Sequence, residues 1–435
     1  MDLAEVRLWG RRIGAVARRP EESFASFQYD PDFAGSGIEI APLTMPLGRQ
    51  PYAFPQLPAE TFHGLPGLLA DSLPDTFGNA LIDAWLARQG RRPESFSPVE
   101  RLCYVGTRGM GALEYEPSTG PRPTETESLE VRALAELASR ILNRREELAL
   151  ELAPGEEEDA LTQLLRVGTS AGGARAKALV AWNPATNDVR SGQIDAGQGY
   201  EYWILKFDGV SGPGDDRFGN PRGYGAIEYA YSLMAREAGI AMRECRLFEE
   251  GGRRHFMTRR FDRTAEGRKL HMLTLGAIAH YDYNRAGAQG YEQALLVIRR
   301  LDLGMDAVEE QYRRMVFNIL ARNQDDHVKN IAFLMDRQGR WSLSPAFDLT
   351  YAYNPAGDWT ARHQMTVNGK TDGFTMADLE EVARGASMKR GRHAAIYEEV
   401  RAAVARWMDF ARQAGAEEGQ AGRVRKALRF DLPER

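Results

Sequence analysis

The chain has 435 residues and a mass of 48.6 kDa, more than one hydrophobic core usually serves, so two or three packed subdomains are expected and a miniature binding module is excluded. Hydrophobic residues make up 43% and charged residues 27%, which excludes global disorder. With 56 Lys+Arg against 61 Asp+Glu the net charge is -5, so the chain lacks the positive field of a DNA-coating protein, and nucleic-acid contact is expected only locally or through a partner.

Cys103 and Cys245, the only two cysteines, form no CxxC pair and read as free thiols of a reducing compartment. The start carries acids where a secretory signal carries base, and no apolar run reaches the roughly 18 residues of a membrane span. A cytoplasmic protein without membrane contact is the expectation. The seven histidines never fall into HExxH, which leaves no zinc-hydrolase scaffold.

In chain order, strand-like stretches at 7–16 and 24–29 precede a helical middle, 65–69 and 79–86, with apolar residues at helix spacing. They predict a mixed α/β accessory subdomain over 1–120. Residues 117–126, rich in Pro, Thr and Gly, mark a linker, and a helix from 128 to about 145 follows. Residues 177–182 and 201–207 read as strands. A glycine-studded stretch, 208–225, leads into a helix through Ile227, Ala230, Tyr231, Met234 and Ala238 that Gly239 stops. Residues 243–248 and 255–260 flank Glu249-Glu250-Gly251-Gly252, a hairpin signature. Strand, strand, helix and hairpin predict a mainly antiparallel lobe over 127–265.

The remainder, 266–435, predicts a mostly helical lobe. Val308, Tyr312, Met315, Val316, Ile319 and Leu320 trace one face of a helix that runs out at about Arg322. Short strands at 331–335 and 340–343 surround Asp336-Arg337-Gln338-Gly339, and 376–384 and 394–414 read as terminal helices. The fold class is α+β.

The densest polar cluster, Asn323-Gln324-Asp325-Asp326-His327-Val328-Lys329-Asn330, joins a buried-looking helix to a buried-looking strand. Read plainly it is a helix-ending turn. Its spacing says more: Asp325 and Asn330 stand five positions apart, the interval of the protein-kinase catalytic loop, whose Asp takes the substrate hydroxyl proton and whose Asn holds Mg²⁺. If the following hairpin turns about Gln338, residues whose numbers sum to 676 face each other, which puts Asn330 opposite Ala346 with Asp348 just past it. Asp348 and the Asn330 amide then supply the oxygen ligands that hard Mg²⁺ prefers. Lys206, inside an apolar strand, is the candidate cation for nucleotide phosphates, and Glu228 its candidate partner, although an edge lysine pointing to water is the plain alternative. Residues 168–177 form a glycine-rich turn that lacks the Walker pattern. The same residues match GxSxG (Gly168, Ser170, Gly172), with Asp348 and His363 following in the chain order of an α/β-hydrolase triad, which keeps a serine hydrolase through Ser170 as an alternative.

Together these residues resemble the HipA-type serine/threonine kinases, the toxin half of bacterial type II toxin–antitoxin pairs. The resembling stretches are 170–177, 202–208, 228–240, 258–263, 325–330 and 344–348, and the N-terminal segment, with Leu73-Pro74-Asp75 and 109–113, resembles that family's accessory subdomain. The resemblance implies a two-lobed protein-kinase-like core using ATP and Mg²⁺. Asp325 would be the catalytic base, and Asn330 and Asp348 would hold magnesium. Gly172, Gly173, Ala174, Arg175, Ala176 and Lys177 would cover the phosphates, with Lys206 on them and His327 beside the nucleotide. Arg259, Arg260 and Phe261 would edge the adenine pocket. Ser170, with Thr169 as its neighbour, would be autophosphorylated and so inactivate the enzyme. Two departures stand out: Arg259 where relatives can carry Glu, and Asp326 where glycine is common, a charge that would tend to raise the pKa of the adjacent base. The implied partners are a HipB-like helix-turn-helix antitoxin, through which DNA is reached indirectly, and a translation-related substrate, in some relatives an aminoacyl-tRNA synthetase. A catalytically silent ATP-binding module that titrates a partner is the other alternative.

Overall fold

A computed structural model describes residues 2–74, 76–121, 128–143, 163–165, 167, 175–210, 222–264 and 266–435. Two compact units emerge: Met1–Ile40, Met45–Gly225 and Cys245–Met272 form the first, and Ala41–Thr44, Ala226–Glu244 and Leu273–Arg435 the second. The accessory segment therefore shares a unit with the antiparallel sheet, and residues 226–244, expected with that sheet, belong to the helical unit. No helix among the described residues is long and apolar enough to cross a membrane.

The first unit holds two antiparallel sheets. In the smaller, β1 (Asp2–Leu8), β2 (Arg11–Arg18), β3 (Ser26–Tyr29) and β4 (Leu113–Glu116) lie in the order β3-β2-β1-β4. The single strand expected over 7–16 is in fact broken by a two-residue turn at Trp9-Gly10, both at positive φ, with Leu8 opposite Arg11. An aromatic residue in the left-handed region hides that turn, because Trp9 extends the apolar character of Leu8 beside it.

The larger sheet comprises β5 (Lys177–Asn183), β6 (Asp188–Ser191), β7 (Glu201–Lys206), β8 (Cys245–Glu250) and β9 (Arg253–Arg259), ordered β6-β5-β7-β9-β8. Gly251 and Gly252, both at positive φ, close the β8–β9 hairpin with Glu250 opposite Arg253. Alternation sorts the side chains of β7. Trp203 and Leu205 join Ala178 and Val180 of β5 in a core shared with the helices Thr76–Arg88 and Val131–Asn143, whereas Ile204 and Lys206 lie on the other face.

Beyond β9, Arg260 and Arg263 clasp the fully buried Asp262 at 2.8 and 2.7 Å, and Asp262 also accepts from the Gly111 N–H at 2.8 Å. This ion cluster fastens the end of the larger sheet to the loop preceding β4. Burial alone would hold the Asp262 carboxyl protonated, but the two guanidiniums and the amide outweigh it and place its pKa well below the ordinary value.

The second unit is built on the helix Gly304–Leu320, whose 308–320 stretch is buried almost throughout. Arg322 ends the helix in the left-handed conformation with φ of 56°, and the Asn323 N–H returns to the Asn318 carbonyl at 3.0 Å, so the polar loop starts at a fixed angle. Beyond the loop, β10 (His271–Thr274), β11 (Ala332–Met335) and β12 (Trp341–Leu343) form a small sheet. Phe333 faces Leu343 and Met335 faces Trp341, the register in which residue numbers sum to 676. The chain after β12 is pinned where the Ala346 N–H donates to the Ala241 carbonyl at 2.8 Å and Arg314 donates to the Ser344 carbonyl at 2.8 Å. The terminal helix expected over 394–414 is two helices, Arg392–Ala405 and Trp407–Gln413. The break at Arg406 turns Trp407 inward, where its ring lies 5.1 Å from Tyr231 and its N–H reaches the Ala421 carbonyl at 2.9 Å.

Candidate active site

The polar loop 323–330 is held at both ends by its own side chains. At the start, Asn323 Nδ2 donates to Asn318 Oδ1 and Asn318 Nδ2 to the Tyr291 hydroxyl, each at 2.9 Å. At the end, a single turn of 3₁₀ helix, Val328–Asn330, brings the Asn330 side chain back so that Nδ2 donates to the Asp325 main-chain carbonyl at 2.7 Å. The five-residue spacing of Asp and Asn is thus a closed ring.

Adjacent carboxylates in this loop face different surroundings. Asp326 is buried: Oδ2 accepts from the Tyr291 hydroxyl at 2.8 Å and from His363 Nδ1 at 2.8 Å, while Oδ1 accepts from the Gln364 N–H at 2.8 Å. Burial favours its neutral form, yet His363 and the two further donors outweigh it, and its pKa falls below the ordinary value. Asp326 therefore serves as an anchor, and its charge is compensated within the interior. Asp325 is half-buried and takes the Trp359 indole N–H on Oδ1 at 2.7 Å, with His327 Nε2 3.8 Å from the same oxygen. The His327 ring lies 5.8 Å from Tyr283 and 6.5 Å from Trp359, and the Lys329 ammonium sits 4.9 Å from the Tyr283 centroid.

Asp348 has φ of 56°, a backbone strained for any residue with a side chain and a frequent mark of functional positions. Its neighbours Phe347 and Leu349 line one cavity with Asn330, His327 and Asp326. The loop and the post-hairpin segment therefore meet at a common space, as the register requires. Asn330 commits its amide nitrogen to Asp325 and so leaves its oxygen as the donor for a cation. Among the described residues no three carboxylate, imidazole or thiol groups cluster as an all-protein metal cage would need. One carboxylate with one amide oxygen is instead the donor set of an Mg²⁺ that keeps waters and phosphate oxygens.

The remaining expected residues lie in the first unit. Lys206 at the end of β7 stands directly opposite Lys177 of β5, with its ammonium 5.8 Å from the Phe256 ring, and Lys177 is buried. Arg175 stacks 4.1 Å from the Tyr224 ring, and the carbonyl of buried Ala176 accepts from the Phe207 N–H at 3.0 Å. Thr169, Ser170, Gly172, Gly173 and Ala174 lie outside the described residues. Arg259 pairs with Glu201 at 3.4 Å, and Phe261 is buried. Arg260 departs from expectation: its guanidinium has no exposed surface and is taken by Asp262 and the Gly192 carbonyl, so it braces the fold and has nothing left for an adenine ring.

His363 likewise departs from the hydrolase ordering. Its Nδ1 meets Asp326 rather than Asp348, and Nε2 faces Arg429 at 3.5 Å, so neither nitrogen is offered to a serine. Trp359 and His363 are the residues that sequence reading missed as partners of the loop. Neither carries a spacing signal, since the contacts span 34 and 37 positions.

An antiparallel-sheet unit and a helical unit carrying a braced Asp…Asn loop define an α+β protein. Residues 4–116 match the family described as the HipA N-terminal domain, and residues 169–408 match the HipA-like C-terminal domain. The chain belongs to the HipA family. Among solved structures it resembles HipA of Shewanella oneidensis MR-1, determined as a complex of HipA, HipB and operator DNA, with a TM-score of 0.65 and 16% identity over 97% of this chain and 94% of that one. A looser likeness, to the Helicobacter pylori proinflammatory kinase CtkA, has a TM-score of 0.31 and 13% identity over 49% of this chain and 90% of that one. No curated protein sequence matches the chain.

Proposed function

We propose that the protein is an ATP- and Mg²⁺-dependent serine/threonine protein kinase of the HipA toxin type. The observation that carries the reading is the Asn330 amide bonded back to the Asp325 carbonyl, which fixes an acceptor carboxylate and a cation-binding amide oxygen in one loop. Bound Mg-ATP would supply the γ-phosphoryl group and the positive charge that neutralises it. Asp325 takes the proton of a substrate hydroxyl as that oxygen bonds to the γ-phosphorus, and the bond to the ADP oxygen breaks. Asn330 and Asp348 would hold the cation, Lys206 and residues 172–177 would contact the phosphates, and His327 would serve the nucleotide. The proposed acceptors are a serine of a translation-related protein, an aminoacyl-tRNA synthetase among the candidates, and the chain's own Ser170, with Thr169 beside it, whose modification shuts the enzyme off. Family membership, together with a relative solved with HipB on operator DNA, supports a separate HipB-like antitoxin as partner.

Replacing Asp325 by Asn keeps the shape and removes the base. Phosphoryl transfer from radiolabelled ATP to the chain itself and to ribosome-free extract should fall by about 1000-fold or more while ATP affinity stays within about threefold. Undiminished transfer in that variant would overturn the assignment, and absence of transfer by the unaltered chain would favour a silent ATP-binding module.

A further inference from the structure

Three consecutive residues of the polar loop are bonded to a single short segment, 359–364. Gln324 Nε2 donates to the Ala361 carbonyl at 3.3 Å, Asp325 accepts from Trp359, and Asp326 accepts from His363 and from the Gln364 N–H. The segment is braced internally, because Gln364 Nε2 returns to the carbonyls of Trp359 and Arg362. The bonds to Asp326 are buried and that of Gln324 is part-buried, and these serve the fold. The third differs: Trp359 is 36% exposed, its ring lies 6.5 Å from that of His327, and its indole N–H donates to the carboxylate of Asp325.

We propose that Trp359 is a positioning residue for Asp325: its indole N–H holds Oδ1 and fixes the carboxylate rotamer, leaving Oδ2 to take the proton of the substrate hydroxyl. The proposal rests on the reading of Asp325 as the base. Both polar approaches among the described residues, from Trp359 at 2.7 Å and His327 at 3.8 Å, fall on Oδ1, so a substrate hydroxyl meets Oδ2 without displacing either.

The test is Trp359→Phe, which keeps an aromatic ring and removes the N–H. Transfer by the full chain should show kcat reduced by about tenfold with KM for ATP unchanged. Because the ring is exposed, the thermal midpoint should stay within about 2 °C. A merely structural role would lower the midpoint and raise KM for ATP together with any fall in kcat, which would overturn the proposal. An unchanged or raised kcat would also overturn it, the latter by showing that the indole obstructs the base. If the unaltered chain transfers no phosphate, the base assignment fails and this role with it; if the unaltered chain is active and the variant is indistinguishable from it, only the role of Trp359 fails.

Discussion

His363 Nδ1 lies 2.8 Å from Asp326 Oδ2, and both side chains are almost wholly removed from solvent. The pair joins the polar loop to the segment 359–364 through a buried charge whose other acceptor sites are filled by Tyr291 and Gln364. Removing the carboxylate leaves three donors facing nothing. Asp326→Ala should therefore lower the unfolding free energy by roughly 3–4 kcal/mol, measured by urea denaturation at neutral pH. The acid dependence has a definite sign. The folded-state pKa is depressed, so the contribution is complete above the ordinary carboxylate range and disappears as pH falls through the folded-state value. A loss below about 1 kcal/mol would show that the network is not what fixes the loop.

Two histidines of the first unit give a second, milder pH response. His255 Nδ1 accepts from the Asp208 N–H at 2.9 Å and His271 Nε2 contacts the Ile40 carbonyl at 2.9 Å, and both are fully buried. Burial lowers each pKa to about 4. The unfolded chain therefore takes up protons below about 6.5 that the folded chain refuses until about 4, and stability falls with decreasing pH across that window. Between pH 7 and pH 5 the loss should be roughly 2 kcal/mol for each residue, read from urea midpoints at the two pH values. Burial holds His280 at about 4 as well, so His255→Gln should flatten the dependence by about a third, and an unaltered slope in that variant would assign the protons elsewhere.

The Asn330 side chain is tested apart from the base. Asn330→Ala removes both the donor to the Asp325 carbonyl and the oxygen proposed for the cation. The Mg²⁺ concentration for half-maximal phosphoryl transfer should rise by about tenfold or more and kcat should fall, whereas one partly buried hydrogen bond is worth only about 1 kcal/mol of stability. Mg²⁺ titration of transfer at saturating ATP reads the first effect and urea unfolding the second. An unchanged Mg²⁺ requirement would take Asn330 out of the cation site.

Local chemistry made the loop and hairpin legible. The Asp325 to Asn330 interval is a property of one turn, and the register about Gln338 follows from a short hairpin closed over Asp336-Arg337-Gln338-Gly339. Family membership likewise rested on motifs short enough to read directly. What escaped were contacts that only tertiary folding makes: Trp359 on Asp325, His363 on Asp326, and the guanidinium of Arg260 turned into an ion cluster rather than toward a ligand. A charged residue reads the same on paper whether it meets solvent, ligand or a buried partner, and burial decides which. The turn at Trp9-Gly10 and the break at Arg406 escaped for a related reason, since in each an apolar pattern continues across a change of backbone direction.

The buried ion cluster supplies the last prediction, which turns on charge balance rather than on contact. Asp262 carries one negative charge between two guanidiniums that are almost entirely removed from water, and burial has already pulled the Arg263 pKa down to about 10. Asp262→Asn keeps the shape and leaves two buried cations without a counter-charge, so it should cost about 3–5 kcal/mol, more than removal of a similar exposed pair. The same physics predicts a rescue. Replacing Arg260 and Arg263 by Met and Asp262 by Leu in one variant removes the desolvated charges together and should recover most of that loss, because well-packed apolar groups need no compensation there. The Gly111 N–H would still lose its acceptor, which sets the part not recovered at about 1 kcal/mol. Urea unfolding of the single and triple variants measures both; a triple variant no more stable than Asp262→Asn would mean that the directed bonds to Gly111 and Gly192, and not the charges, hold these segments together.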